Sequence, residues 1–232
     1  YKNNHFIEPH ASLKKPCGET YSYLMKKWKC NFAIPFSAMH RYVRNDSIKM
    51  NKYITPINRH KDNFNNKNGE LLPAFIKWDS KKKDYIEINP EENIEENISA
   101  KSCGDNWSDD LDKADKKIIE KYFNSFEHLK TKIGFLNFQI GKSEMNIKIS
   151  DKEEGISFSS PRNSFMYAIN NQIFDDLLIG NFMKVELIGL KSLYPDFTPY
   201  VTKYADNGGV KTNKELKDYF EFYKINSVNY WK

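Results

Sequence analysis

Apolar residues fall into short runs over the first hundred residues of this chain and then into a helical stripe. In GETYSYLMKKWK, Tyr21, Leu24, Met25 and Trp28 recur at i, i+3, i+4 and i+7, which places them on one face of a helix. Glu19 near its start and the lysines at its end suit the helix dipole. Two apolar runs flank it: NHFIEP, stopped by Pro9, and NFAIPFSA, which reads as a buried strand. Strand, helix and strand within about 30 residues is the size of a βαβ unit of a layered α/β sheet. Further on, LLPAFIKWD and DYIEINP read as two strands joined by the lysine-rich turn at Lys81–Asp84.

The strongest helical pattern is SDDLDKADKKIIEKYFNSFEHLKTKIG. Ser and Asp crowd its start, Gly134 is its stop, and Leu111, Ile118, Ile119, Tyr122, Phe123, Phe126 and Leu129 form its apolar stripe. FLNFQIG, MNIKIS and GISFSS then read as strands. NSFMYAINNQIFDDLLIGN reads as two short helices stopped by Gly180, and FMKVELIG as a last strand. LYPDFTPYVTKYADNGG, aromatic and punctuated by prolines, reads as a long ordered loop. Thr212 and Glu215 form a capping box that opens a helix over KELKDYFEFYK. PEENIEENISAKSCGDNW is acidic and without period, so it reads as a linker. The expected class is α/β to α+β in two parts, 1–88 and 106–232, with 89–105 between them.

Composition narrows the partners. With 232 residues, 39% of them hydrophobic and 15% aromatic, the chain is long enough and apolar enough to fold around a real core. The net charge of +5 comes from basic residues scattered among acids, without a stripe, so no nucleic-acid partner is expected. Cys17, Cys30 and Cys103 show no CxxC spacing, which fits a reducing compartment and a cytoplasmic location. No apolar run approaches 18 residues and no signal peptide is present, so no membrane partner is expected. The first residue is Tyr1, and HFIEPHASL reads as the end of a strand, so the chain is expected to be part of a longer protein.

Candidate chemistry centres on IPFSAMHRYVRNDS. His40 follows an apolar run, and ligands in α/β proteins gather beyond the carboxyl ends of strands. A neutral imidazole there suits zinc or iron; a half-buried histidine bonded to backbone is the alternative. His10, two residues after Glu8, stands in a similar place, either as a ligand or as a polar loop tip. His60 lies in a polar loop, His128 near a helix end, and His5 at the surface. Neither HxH, HExxH, a phosphate-binding glycine loop nor GxSxG occurs. GDNWSDDLDKAD holds five aspartates in twelve residues, but their order is not that of a calcium loop, so helix capping is the expected role. Asp175 and Asp176 read as caps in the same way.

Several long stretches carry a resemblance: FIEPHASLKKP, IPFSAMHRYVRNDSIKMNKYITP, LLPAF, GDNWSDDL, FDDLLIGNFMKVEL and LYPDFTPYVTKYADNGG. In order, from about His5 to Tyr219, they resemble the C-terminal half of metallo-β-lactamase (MBL) fold proteins, similar in layout to the amino-sugar hydroxylases that join a Rieske domain to that fold. The resemblance implies an αββα sandwich whose first half, carrying HxHxDH, lies upstream and supplies most metal ligands. It matches His40, and secondly His10, to the late histidine of that site. The segment from Phe135 to Gly189 also resembles a sterol-carrier-type fold, implying an apolar pocket or a dimer contact; a small α+β domain with a filled core is the alternative.

The resemblance therefore implies the C-terminal portion of a cytoplasmic, metal-dependent hydrolase or oxygenase, not catalytically complete in this chain. Zinc or iron would be its metal, a small molecule its substrate, and an upstream MBL half its partner. Arg41 and Arg44 are candidates for an anionic substrate group, since guanidinium suits carboxylate and phosphate. The rival reading is a non-catalytic binding module, with Phe138, Ile147, Phe158, Phe165 and Leu178 lining an apolar, lipid-like pocket or serving a homodimer.

Overall fold

The structure is a computed structural model, and it describes residues 1, 17–36, 41–56, 59–88, 96–180, 182–206 and 212–227. Helices and β-sheets are mixed, as in an α+β protein. The chain divides into two compact units: Glu8–Ile98, and Ser99–Lys232 together with Tyr1–Ile7.

In the Glu8–Ile98 unit, the predicted amphipathic helix is α1, Cys17–Trp28. Met25 on its apolar face is buried, whereas Trp28, at the end of the same stripe, is exposed. Among the described residues of NFAIPFSA, 31–36, the strand is two residues long, β1, Phe32–Ala33. It pairs in parallel with β2, Glu70–Leu71, through Glu70 N–H to Asn31 O at 2.8 Å and Leu72 N–H to Ala33 O at 2.9 Å. The strand expected before α1, at NHFIEP, lies outside the described residues. The predicted hairpin is present as β3, Ile76–Asp79, and β4, Asp84–Glu87. Asp79 Oδ1 accepts the Lys81 and Lys82 N–H groups in its turn. Trp78 joins the hairpin to β1 by packing its ring 4.8 Å from that of Phe32.

In the second unit, α2 spans Lys113–Asn124 and is shorter than its stripe predicts. The hydroxyl of Ser125 donates to Tyr122 O at 2.6 Å, and the chain tightens into a 3-10 turn, Glu127–Thr131. Burial explains the break: the turn drives both Phe126 and Leu129 into the core, at 1% and 0% exposure. Ile118 is correspondingly left at the surface.

Four strands follow: β5, Phe135–Ile140; β6, Ser143–Lys148; β7, Gly155–Ser159; and β8, Lys184–Ile188. Their order in the sheet is β6-β5-β7-β8, with β5 and β7 parallel and the outer pairs antiparallel. Along β5 the burial alternates, so Leu136, Phe138 and Ile140 face the core. Between β7 and β8 come α3, Arg162–Asn171, and the short α4, Asp176–Ile179. Residues Ile119 and Phe123 of α2 and Phe165 and Ile169 of α3 complete the core cluster with the sheet. The expected loop after β8 instead contains a helix, α5, Thr198–Asp206. Pro199 sits in its first turn, where a missing N–H costs nothing. The last helix, α6, is Asn213–Ser227, opened by the predicted box: Thr212 N–H bonds Glu215 Oε2 at 2.8 Å, and Glu215 N–H bonds Thr212 Oγ1 at 3.2 Å.

Candidate functional site

His40 and His10, the two candidate ligands, lie outside the described residues, as do Ser37 and Glu8. What is described is the segment that follows His40. There the side chain of Asn51 clamps one peptide unit twice: its Oδ1 accepts Tyr42 N–H at 2.8 Å and its Nδ2 donates to Tyr42 O at 2.8 Å. Val43 O accepts Ile98 N–H and Ile98 O accepts Asn45 N–H, both at 2.9 Å, which adds a short parallel bridge. Ser47 Oγ and the Ser47 and Ile48 N–H groups all donate to Arg44 O. The run after His40 is therefore fixed by its own backbone bonds and opens a 3-10 helix, Ile48–Tyr53.

The two arginines in this segment differ. Arg44 directs its fork at Asp46, Nε to Oδ1 at 2.8 Å and Nη2 to Oδ2 at 3.0 Å, with 13% of its side chain exposed. A bidentate pair of this kind uses the donors that would grip a substrate carboxylate or phosphate. Arg41 is exposed.

The loop around His60 packs on α1. Ser22 Oγ donates to Gly18 O at 2.8 Å and accepts Asn65 N–H at 2.7 Å. Any side chain at Gly18 would overlap the Asp62 carbonyl. His60 is not the exposed loop residue its polar surroundings suggest: it is 3% exposed and stacks on Tyr21, ring centroids 6.4 Å apart. Neither of its ring nitrogens has a hydrogen-bond partner among the described residues.

The aspartates of GDNWSDDLDKAD are engaged one by one in structure. Asp105, 1% exposed, accepts Ser164 N–H at 2.8 Å and Ser164 Oγ–H at 2.5 Å, so it caps α3 from outside that helix. Asp109 accepts from Asn106. Asp110 Oδ1 takes the N–H groups of Lys142 and Ser143 in the β5–β6 turn, at 2.5 and 3.1 Å. Asp112 and Asp115 form a capping box at the start of α2 and hold Arg162, whose Nε lies 2.6 Å from Asp115 Oδ2. The Asp115 N–H, aided by Ala114 N–H and the Arg162 guanidinium, keeps the Asp112 carboxyl below its usual range. Asp175 precedes α4, but its side chain makes no capping bond.

Removing the acceptor at position 105 takes from the half-buried Ser164 N–H and hydroxyl the partner they have here. Asp105→Ala is expected to destabilise this unit by about 2 kcal/mol, and Asp105→Asn, which keeps an acceptor, by less. Urea unfolding of the three chains decides; equal midpoints for Ala and the parent would mean that the cap contributes nothing.

The core positions proposed to line a pocket hold rings in mutual contact. Phe138 lies 5.7 Å from Phe158, 5.1 Å from Phe165 and 5.0 Å from Phe123, centroid to centroid. Phe174 and Phe197 close the other side of Phe158, at 5.2 and 5.5 Å. Burial pushes the phenol of Tyr122, at the margin of this cluster, above its ordinary range.

One constellation escaped the sequence reading. His128 stacks on Tyr200, centroids 6.0 Å apart, and Lys132 places Nζ 5.4 Å over the same ring and 3.5 Å from Asp196. Its hydrogen bond to Tyr200, ahead of the one to Asp196, raises the Lys132 ammonium above its usual range. Only the helical character of Thr198–Asp206 would have aligned these groups, and the prolines disguised it.

Among the described residues no group of three or more His, Cys, Asp or Glu is placed to hold a metal ion. No described helix is long and apolar enough to cross a membrane. Compared with known protein families, curated proteins and solved structures, the chain matches none.

Proposed function

We propose that this chain is the C-terminal portion of a metal-dependent hydrolase or oxygenase of the MBL fold. In this reading Glu8–Ile98 supplies the second half of the αββα sandwich, and Ser99–Lys232 is a sterol-carrier-like α+β domain. The observation that carries the reading is the uncovered apolar surface of the Glu8–Ile98 unit. It buries Met25, Tyr53, Leu71 and Leu72, yet leaves Trp28, Ile34, Phe36, Phe75, Ile86 and Ile88 exposed, Phe36 at 88%. A sheet or helix must bury its apolar face against another layer, and a two-residue parallel pair such as β1–β2 is too short to stand alone. A further layer from an upstream half would cover these residues, and Phe36 stands four positions before His40.

The described residues do not by themselves compose a metal site. In this reading His40, and secondly His10, would join ligands from the upstream half to hold zinc or iron, which would supply activation of water or oxygen there. The segment Arg41–Tyr53, clamped by Asn51, would hold His40 in place from its C-terminal side. Arg41, which is exposed, stands beside Arg44 as a candidate for a substrate anion, and Arg44 would have to release Asp46 to serve as one. The rival reading, a module with an apolar pocket, needs space where Phe138, Phe158 and Phe165 meet ring to ring.

The test is the metal content of the full-length protein by elemental analysis. The parent is expected to carry zinc or iron, and His40→Ala to lose at least one equivalent, while His128→Ala keeps it. A parent without metal, or a His40→Ala variant with normal metal and activity, would overturn the assignment.

A further inference from the structure

We propose that the outer edge of β6 docks β6 of a second copy of this chain, the two strands running antiparallel about Asn146. β6 is the end strand of its sheet and, among the described residues, pairs with β5 alone. The hairpin fixes which of its backbone groups turn inward. Gly141, at φ 59°, and Lys142 form a two-residue loop between the paired Ile140 and Ser143. Ser143, Met145 and Ile147 therefore aim their backbone groups at β5. The alternation continues past the strand, where Ile149 N–H donates to Gly134 O at 2.7 Å. The backbone groups of Glu144, Asn146 and Lys148 are left pointing away from the sheet, and among the described residues nothing bonds them.

The side chains of this edge complement themselves. An antiparallel copy centred on Asn146 sets Asn146 opposite the partner's Asn146, Glu144 opposite the partner's Lys148, and Met145 opposite the partner's Ile147. Sliding the pair by two residues breaks both ion pairs. One direction sets Lys148 against the partner's Lys142, and the other sets Glu144 against the partner's Ser150. Glu144, Asn146 and Lys148 are exposed and Ile147 is buried, so the charges meet on the open face while Met145 and Ile147 extend the apolar layer. Present bonds allow this. Glu144 Oε1 accepts Asn137 Nδ2 at 3.2 Å, which leaves its other oxygen for a lysine. Lys148 Nζ lies 2.6 Å from Asp151 Oδ1, but both side chains stand well out in solvent, where such a pair contributes little and can be exchanged.

Pairing about Asn146 adds about six backbone hydrogen bonds and joins two four-stranded sheets into one. The two-fold axis uses the edge on both copies, so the contact closes at a dimer and removes an edge open to other chains. A single strand pair buries little area, so the dimer is expected to depend on concentration. The contact does not depend on any metal.

Sedimentation of the full-length protein, read together with amide hydrogen exchange, tests this. The parent is expected to dimerise as its concentration rises, with slow exchange at Glu144, Asn146 and Lys148 in the dimer and fast exchange after dilution. Glu144→Lys sets lysine against lysine at both ends and is expected to weaken the dimer about tenfold. Adding Lys148→Glu to that variant swaps the charges and is expected to restore it. Asn146→Pro removes the central donors at a position that bonds nothing within the protomer, so it is expected to give a folded monomer. A parent that stays monomeric throughout, or a dimer in which those three amides exchange fast, would sink the proposal. So would a dimer untouched by all three variants, because another surface must then hold it. Should Asn146→Pro fail to fold, the charge swap and the amide exchange of the parent decide between the same outcomes.

Discussion

Phe158→Ala is expected to destabilise the Ser99–Lys232 unit by about 4 kcal/mol. Phe158 is fully buried on β7, with Phe138, Phe174 and Phe197 around its ring at centroid distances of 5.2 to 5.7 Å. Truncation removes the transfer energy of the ring and leaves a hole that three other rings, each fixed by its own neighbours, cannot fill. Phe158→Leu keeps most of the volume and is expected to cost about 1.5 kcal/mol. Chemical denaturation of both variants measures the difference. A loss under about 1 kcal/mol for Phe158→Ala would mean that the core already contains slack. That outcome would return weight to an apolar pocket in this unit.

Gly134→Ala is expected to cost about 3 kcal/mol for a different reason. A Cβ at this position would overlap the Lys152 carbonyl, a backbone group that cannot rotate aside. The same glycine donates to Glu154 O at 2.6 Å, and its carbonyl accepts Ile149 and Ser150 N–H at 2.7 and 3.0 Å. Making room would therefore pull apart the junction between the start of β5 and the turn that leads to β7. Gly155 gives the contrast, because a Cβ there would meet the Phe135 ring at 2.5 Å. A ring on the half-buried face can shift, so Gly155→Ala is expected to cost less. Equal melting temperatures for the Gly134→Ala chain and the parent would refute the account.

How much of this was legible in the sequence depends on what holds each element. Elements fixed by local chemistry were readable. The box of Thr212 and Glu215, the lysine-rich turn between β3 and β4, and the alternating strand FLNFQI each declare themselves within six residues or so. Elements fixed by packing were not. Nothing near Ser125 announces that α2 ends at Asn124; the break exists so that Phe126 and Leu129 both reach the core. NFAIPFSA has the composition of a buried strand, but among its described residues only Phe32 and Ala33 pair, and Phe36 is exposed. Pro199 has the look of loop punctuation, yet it stands in the first turn of a helix. His60 does lie in the polar loop that its sequence neighbours indicate, but its burial against Tyr21 is set by packing and leaves no local sign. For the candidate site, the residues after His40 could be placed, and the bidentate pair of Arg44 with Asp46 is the local feature that a spacing of two residues allowed. His40 and His10 themselves rest on their place after apolar runs and on the resemblance, since both lie outside the described residues.

The acid-rich stretch before α2 also bears on the order in which the chain assembles. Asp105 reaches Ser164 across 59 residues, and Asp110 reaches Lys142 across 32. During synthesis these carboxylates emerge long before their partners and can close only once the sheet and α3 exist. Contacts that form after the folding barrier is crossed slow unfolding and leave the folding rate almost untouched. Within this acid-rich stretch Asp105 and Asp110 are thus latches whose partners arrive later in the chain, while Asp109, Asp112 and Asp115 also bond close neighbours. If the two latches close after the barrier, Asp105→Ala is expected to speed unfolding and leave the folding rate almost unchanged.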